Sequence, residues 1–338
     1  MPSTSERAQP RALVACAGGG IGDSLLASVV ARALRSRFAT VDALTLPAHR
    51  ATLERVPDFD EVLIDDGGEE NEIASRLASR AYAAAVVTWA TARVARAIRA
   101  SGIPVRVGQA RRLYSGLFTH RVVVRSERGD VTSHWTQVLL DYARALGCDA
   151  RDTTPRFVPT ERDQDEARDV AVRHALEPGR FLILHPTNAI ASSRPWPVEG
   201  WRALSVALKG RFGLPVVVTG AKLDEAIVRN IARDGAVALA GETGIGAFGA
   251  LARQSTAYVG ITTGVMHVAS SVGAPTVGIF PFQSDFPERW APLGKKTAIV
   301  RASYACHRGD TKERCVDYAC IAHLDVERIV AATDALLK

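Results

Sequence analysis

At 338 residues and 47% apolar side chains, the chain is too long for one hydrophobic core and apolar enough to fill two, so two domains of roughly 150 residues each are expected. A formal net charge of +6, with every lysine at or beyond Lys209, is mild; no nucleic-acid motif or long basic tail accompanies it, which excludes nucleic acid as a partner and fits a small phosphorylated ligand. Met1–Pro10 is polar without the apolar stretch of a signal peptide, no run approaches the ~20 residues of a membrane span, and the scattered cysteines make no secreted disulfide framework, so a cytoplasmic protein is expected.

Arg11–Cys16 (RALVAC) reads as a strand that stops at Gly18, Gly19 and Gly20. Ile21, Leu25, Leu26, Val29, Val30 and Leu34 then recur at helical spacing. Strands are expected at Val41–Leu46, Glu61–Ile64, Ala83–Thr88 and Val105–Gly108, and helices at Ile73–Arg80, Arg93–Ala100 and Trp135–Leu146. Arg151–Asp163, rich in Asp, Thr and Pro, reads as a linker region, and a helix from about Gln164 to Ala175 leads into the second domain. There strands at Phe181–Leu184, Pro215–Thr219, Ala236–Leu239, Ala257–Ile261 and Thr276–Phe280 alternate with helices at Trp201–Lys209, Glu225–Ala232, Gly246–Gln254 and Met266–Val272; Leu324–Leu337 forms a final helix. Continuous apolar strands separated by helices define an α/β class with parallel sheets covered on both faces. The expected divisions are 1–165, 166–323 and a C-terminal helix, 324–338, that packs back toward the first domain. Ligands of such sheets sit at the carboxyl ends of strands.

Gly18-Gly19-Gly20-Ile21-Gly22-Asp23 joins a strand to a helix, where glycines admit close approach and the helix start attracts anions. It lacks the G-x-G-x-x-G spacing of a dinucleotide site, and Asp42 meets the acidic position that should follow only loosely. Asp23 has two readings: a helix cap, or a general base whose pKa the helix start lowers. In the second domain His185-Pro186-Thr187-Asn188 follows the first strand, and Arg194-Pro195-Trp196-Pro197 precedes a helix. Thr187 can donate to a phosphate oxygen, Arg194 reads as a fork onto a diphosphate or as a solvated loop charge, and Trp196 reads as core. Thr262-Thr263-Gly264-Val265-Met266-His267 opens another helix, whose amides suit an anion; Met266 reads equally as core or as a base contact, and His267 as a core histidine, a helix-end hydrogen bonder or a phosphate contact. Gly220 ends a strand before Asp224 and Glu225, where a carboxylate reads equally as a grip on ribose hydroxyls or as ordinary decoration of a helix start, and Gly241 ends the next, where a base edge would sit.

On Gly22-Asp23, Arg194-Pro195-Trp196-Pro197, Thr263-Gly264 with Met266-His267, and Gly273-Ala274-Pro275-Thr276, the chain resembles the bacterial ADP-heptose:lipopolysaccharide heptosyltransferase family, glycosyltransferase family 9, over roughly residues 11–331. The resemblance implies the GT-B fold, two Rossmann-like domains facing across a cleft, the first serving the acceptor and the second the nucleotide-sugar donor. It implies an inverting, metal-independent transfer of a heptose-like sugar, from ADP-heptose in lipopolysaccharide biosynthesis, to a glycan, lipid-linked or protein hydroxyl. Asp23 would be the general base, Thr187 and Arg194 the diphosphate contacts, Asp224 or Glu225 the ribose grip, and Gly264 to His267 the helix start beside the donor. Thr262 stands where the family has an acidic residue contacting the sugar, and Pro281-Phe282-Gln283 replaces its Gly-Pro-Thr. Both departures bear on which sugar is used. A nucleotide-sugar epimerase and a non-catalytic nucleotide-sugar-binding protein are the alternatives.

Arg93, Arg96, Arg99, Arg106, Arg111 and Arg112 read as a solvated basic face, or as one that meets an anionic acceptor or the inner-membrane surface. Cys306, His307, Cys315 and Cys320 are metal-ligating types, yet they lack the close C-x2-C pair of common zinc sites. No structural metal is therefore favoured there, and none is expected at the reaction centre.

Overall fold

The computed structural model describes residues 10–89, 91–186, 196–282, 286–304 and 319–338. The chain forms two compact units, one ending at Arg156 and the other starting at Phe157. In the first unit the elements are β1 (Arg11–Cys16), α1 (Ile21–Leu34), β2 (Thr40–Thr45), α2 (Arg50–Leu53), β3 (Val62–Ile64), α3 (Glu70–Ala78), β4 (Ala84–Trp89), α4 (Ala92–Ala100), β5 (Val105–Gln109), β6 (His120–Val122) and α5 (Trp135–Arg144). All six strands are parallel, in the order β3-β2-β1-β4-β5-β6.

The second unit holds α6 (Glu161–Arg173), β7 (Leu182–His185), α7 (Val198–Phe212), β8 (Val216–Gly220), α8 (Glu225–Ala232), β9 (Val237–Ala240), α9 (Ile245–Gln254), β10 (Ala257–Ile261), α10 (Gly264–Ser271), β11 (Thr276–Phe280), α11 (Pro287–Trp290), β12 (Thr297–Arg301), α12 (Ala319–Ala322) and α13 (Val326–Leu337). Its sheet, also parallel, runs β12-β11-β10-β7-β8-β9. Counted from each unit's own first strand, both sheets follow the doubly wound order 3-2-1-4-5-6. The order reverses between β1 and β4 in one unit and between β7 and β10 in the other. Chain connections leave these neighbouring strands in opposite directions, so the backbone parts at their carboxyl ends and leaves a crevice.

Alternation along the strands decides which helices cover which face. Leu13, Ala15, Leu44, Ala85 and Val87 share one face with Ile73, Leu77, Val94 and Ile98 of α3 and α4. In the second unit Leu182, Leu184, Val216, Val218, Val259 and Ile279 pack with Trp201, Leu204 and Leu208 of α7 and Ile329 of α13. Helix α13 lies on α7 and β12 within this unit. Trp201, 1% exposed, is a central piece of that core, and Trp196 meets it edge-on at 4.9 Å between ring centroids, as its core reading requires. Two strands escaped the sequence reading, β6 and β12. Both are half-exposed edge strands, and an edge strand with one partner needs little apolar patterning.

Helix α6 begins ahead of its expected start because Thr160 and Asp163 form a capping box. The Thr160 hydroxyl accepts from the Asp163 amide at 3.2 Å, and the Asp163 carboxylate accepts from the Thr160 amide at 2.8 Å. Such a cap contributes about 1 kcal/mol and pins the helix to its first residue.

Candidate active site

In the first unit β1 ends at Cys16, and Gly20 caps α1 with extended backbone. Asp23 occupies the third helical position and its Oδ2 accepts from the Gly20 amide at 2.8 Å. The cap reading of Asp23 therefore holds, and it coexists with half-burial at the carboxyl end of the sheet. Gly19 has φ +70°, a left-handed turn, and a Cβ there would lie 2.6 Å from Asp23 Oδ2, so only glycine lets the loop close around the carboxylate. The helix start was expected to lower the Asp23 pKa; instead it is raised. Burial outweighs the amides of Gly20 and Asp23 and the influence of His49. A carboxylate so held is a better proton acceptor than one in water.

His49 was missed by the sequence reading. It sits in the short turn Pro47–His49 after β2, is 4% exposed, and its Nδ1 lies 2.9 Å from the Ser24 hydroxyl, the residue after Asp23. Burial lowers its pKa, with Asp23 opposing. A single histidine in a loop gives no periodic signal, and only the fold brings it to Ser24.

Asp42 lies in the middle of β2, fully buried, bonded to Arg11 Nη2 at 2.7 Å and the Tyr82 hydroxyl at 2.6 Å. It is not at a strand end and has no surface for a ribose, which disposes of the dinucleotide rival. The arginine segment is largely internally paired. Arg93 bonds Asp65 and, at 2.8 Å, the Gly68 carbonyl; Arg96 bonds Glu70; Arg106 caps the Leu117 carbonyl at 2.9 Å; Arg111 reaches the Glu127 carbonyl at 3.1 Å; Arg112 meets the Glu127 carboxylate at 3.6 Å. Most of these cations are thus committed before any partner arrives.

In the second unit the switch-point strands end at His185 and Ile261. His185 is buried, with Nδ1 2.9 Å from the Thr219 hydroxyl and its ring stacked on Tyr258. Thr262 is half-buried and donates its amide to the Ile279 carbonyl at 2.9 Å. Thr263 is the extended N-cap of α10, with no side-chain cap bond, and Gly264 and Val265 follow half-buried in the first turn. Met266 is fully buried, with Sδ 2.8 Å from where a Cβ on Gly278 would stand, so it fills core and does not face a base. His267 is 5% exposed beside it.

Along the same edge Gly220 ends β8. The Asp224 carboxylate accepts from the Ala221 amide at 2.9 Å, and Glu225 is bracketed by Lys222 at 2.6 Å and Arg229 at 2.5 Å. Those cations, Lys222 foremost, hold Glu225 below the usual carboxylate range. Gly241 has φ +67°, donates its amide to the Gly220 carbonyl at 2.9 Å, and would place a Cβ 2.7 Å from Lys222 Cα. Glu242 bonds His174 Nε2 at 3.0 Å and Arg173 at 3.1 Å. Thr187, Arg194 and Gln283 lie outside the described residues, as do Cys306, His307 and Cys315. Cys320 is buried and free, and no group of three or more metal-ligating side chains occurs among the described residues. No helix among them is long and apolar enough to cross a membrane.

One crevice thus offers a half-buried carboxylate on a glycine loop. The other offers hydroxyls and the amide start of a helix that has no side-chain cap bond, groups suited to oxyanions. Comparison with known proteins gives the family. The sequence model of glycosyltransferase family 9 (heptosyltransferase) matches residues 71–318. The chain is 24% identical over 340 residues to lipopolysaccharide heptosyltransferase 2 of Escherichia coli K12, covering 94% of this chain and 96% of that one. Among solved structures it is similar to a family 9 glycosyl transferase from Veillonella parvula, with TM-score 0.83, 18% identity and 97% of each chain covered. It is also similar to E. coli ADP-heptose lipopolysaccharide heptosyltransferase II, with TM-score 0.79, 20% identity, and 97% of this chain and 98% of that one covered.

Proposed function

Because the chain belongs to glycosyltransferase family 9, the heptosyltransferase family, we propose that it moves heptose from ADP-heptose to an acceptor hydroxyl, with inversion and without a metal at the reaction centre. The observation that carries this reading is Asp23, a half-buried carboxylate fixed by the Gly20 amide at a switch-point strand end. Asp23 accepts the proton of the attacking hydroxyl as the new glycosidic bond forms. The bond from the anomeric carbon to the diphosphate breaks on the opposite face, which inverts that carbon. The departing ADP gains negative charge, which the Thr187 hydroxyl, the Arg194 guanidinium, and the Gly264 and Val265 amides at the start of α10 take up. Thr263 and His267 line that donor end. Asp224 or Glu225 holds the ribose, with Glu225 giving up Lys222 or Arg229 to do so, and the base lies by Gly220 and Gly241. Thr262 contributes a neutral hydroxyl toward the sugar, and Met266 supports the turn from beneath. The acceptor is a glycan of lipopolysaccharide type, reached in the cytoplasm at the inner-membrane face.

The test is a thermal-shift screen of ADP-heptose against UDP- and GDP-sugars, followed by mass spectrometry of transfer to heptose-truncated lipopolysaccharide. ADP-heptose at a hundred times its Kd should stabilise the fold by about 2.7 kcal/mol. Asp23→Ala should keep that stabilisation and lose transfer, and Arg194→Ala should weaken ADP binding. Near-normal turnover in Asp23→Ala would remove the base. Stabilisation by another nucleotide sugar alone would replace the donor.

A further inference from the structure

Strand β4 ends in Trp89, which is 41% exposed. By contrast, Tyr82, Phe118 and Tyr142 of the same unit are each 3% exposed. Trp89 is the register partner of Cys16, so it stands at the switch point of the first sheet, where β1 and β4 part. Its indole packs against the glycine loop: a Cβ on Gly18 would be 1.9 Å from Trp89 Cδ1 and 2.3 Å from Nε1. The next residue, Gly19, is the one that closes around Asp23 Oδ2. Successive Cα atoms are about 3.8 Å apart, so an exposed indole and the candidate base touch neighbouring residues of one short loop.

An indole left open to solvent at a crevice is an uncovered apolar face with a polar edge. Pyranose rings are built to cover such a face. Their axial C–H bonds make one side apolar, while their hydroxyls radiate from the rim and remain free to reach a neighbouring carboxylate. We propose that Trp89 is the platform of the acceptor subsite, on which a pyranose ring of the acceptor glycan stacks so that one rim hydroxyl meets Asp23. The absence of a side chain at Gly18 is then part of the subsite, since any larger residue would displace the indole. This inference rests on the reading of Asp23 as the base and of the acceptor as a carbohydrate.

Stacking is binding energy shared by ground and transition states, so its loss falls on KM for the acceptor and leaves kcat nearly intact. The experiment uses the full chain, ADP-heptose, and de-acylated inner-core oligosaccharide from heptose-truncated lipopolysaccharide as the acceptor probe. Trp89→Ala should raise the acceptor KM about tenfold or more, leave kcat within a few-fold, and leave stabilisation by ADP-heptose unchanged. Trp89→Phe keeps a ring and should lie between; it also guards against a folding defect in the alanine variant. In the wild type the oligosaccharide should shield Trp89 from acrylamide quenching, read as the difference in emission from Trp89→Phe. An unchanged acceptor KM in a folded Trp89→Ala protein overturns the platform while Asp23→Ala, still inactive, preserves the base. A wild type that transfers to the oligosaccharide without shielding Trp89 also overturns it. A wild type that neither transfers to the oligosaccharide nor has its indole shielded overturns the platform together with the carbohydrate acceptor; a protein acceptor would then be the replacement.

Discussion

The two sheets have one strand order and two chemistries. At the switch point of the first, a short glycine loop carries a carboxylate and lies under an open indole. At that of the second, the strand ends carry a buried imidazole and hydroxyls, and a helix begins with its cap bond unmade. Topology therefore fixes where a ligand can sit, and a handful of residues at strand ends fix what it is. A second contrast lies within the first sheet. Asp42 is fully buried and locked mid-strand by Arg11 and Tyr82, while Asp23 is half-buried at an open end, with its pKa pushed up by that burial.

Substitutions separate these regions. The largest effect belongs to Asp23→Asn, which should cut kcat by about 10²–10⁴-fold, the usual reach of a general base. The same change should raise Tm at pH 7. A carboxyl whose folded pKa exceeds its ordinary value of 3.8 favours the fold at low pH and loses that contribution as pH rises through the folded value. At pH 7 the ionised group is a burden, so the Tm gain of Asp23→Asn should shrink as the pH falls below 4; a fall in Tm at pH 7 would make Asp23 structural. Asp42→Ala should do the reverse, costing about 2–3 kcal/mol by denaturant unfolding, less than a wholly buried pair because Arg11 is partly exposed, with kcat per folded molecule unchanged. Gly241→Ala should cost about 2 kcal/mol, from its left-handed backbone and its contact with Lys222. Glu225→Gln should leave Tm nearly unchanged, since its ion pairs are exposed, and any loss of ADP affinity by calorimetry would report the ribose grip. Chelation with EDTA should leave the transfer rate unchanged; a rate restored only by a divalent ion would reverse the metal-independent reading.

Much of this was legible from residue order. Apolar runs in alternation with helical spacing gave both sheets, because strands buried on two faces carry almost no polar residues. Edge strands β6 and β12 were illegible for the opposite reason. Asp23 was legible through its glycines, but the direction of its pKa was not, since burial depends on what the rest of the sheet places around the loop. Met266 had two readings, and the closeness of Gly278 on the neighbouring strand decided for core. His49 and Trp89 carried no motif at all. His49 comes from the turn after β2 and Trp89 from the end of β4, and their adjacency to the start of α1 and its loop exists only after β2, β1 and β4 are paired.

Gly19 also bears on how mutational data from this protein should be read. Because the loop is moulded around the Asp23 carboxylate with no room for a methyl group, any substitution at Gly19 would push the acid out of register. In a saturation screen the two positions would score as equally intolerant, although only Asp23 is proposed to handle a proton and Gly19 handles nothing. Intolerance to mutation would thus overcount the chemistry of this loop, and only kinetics on purified variants could tell the mould from the tool.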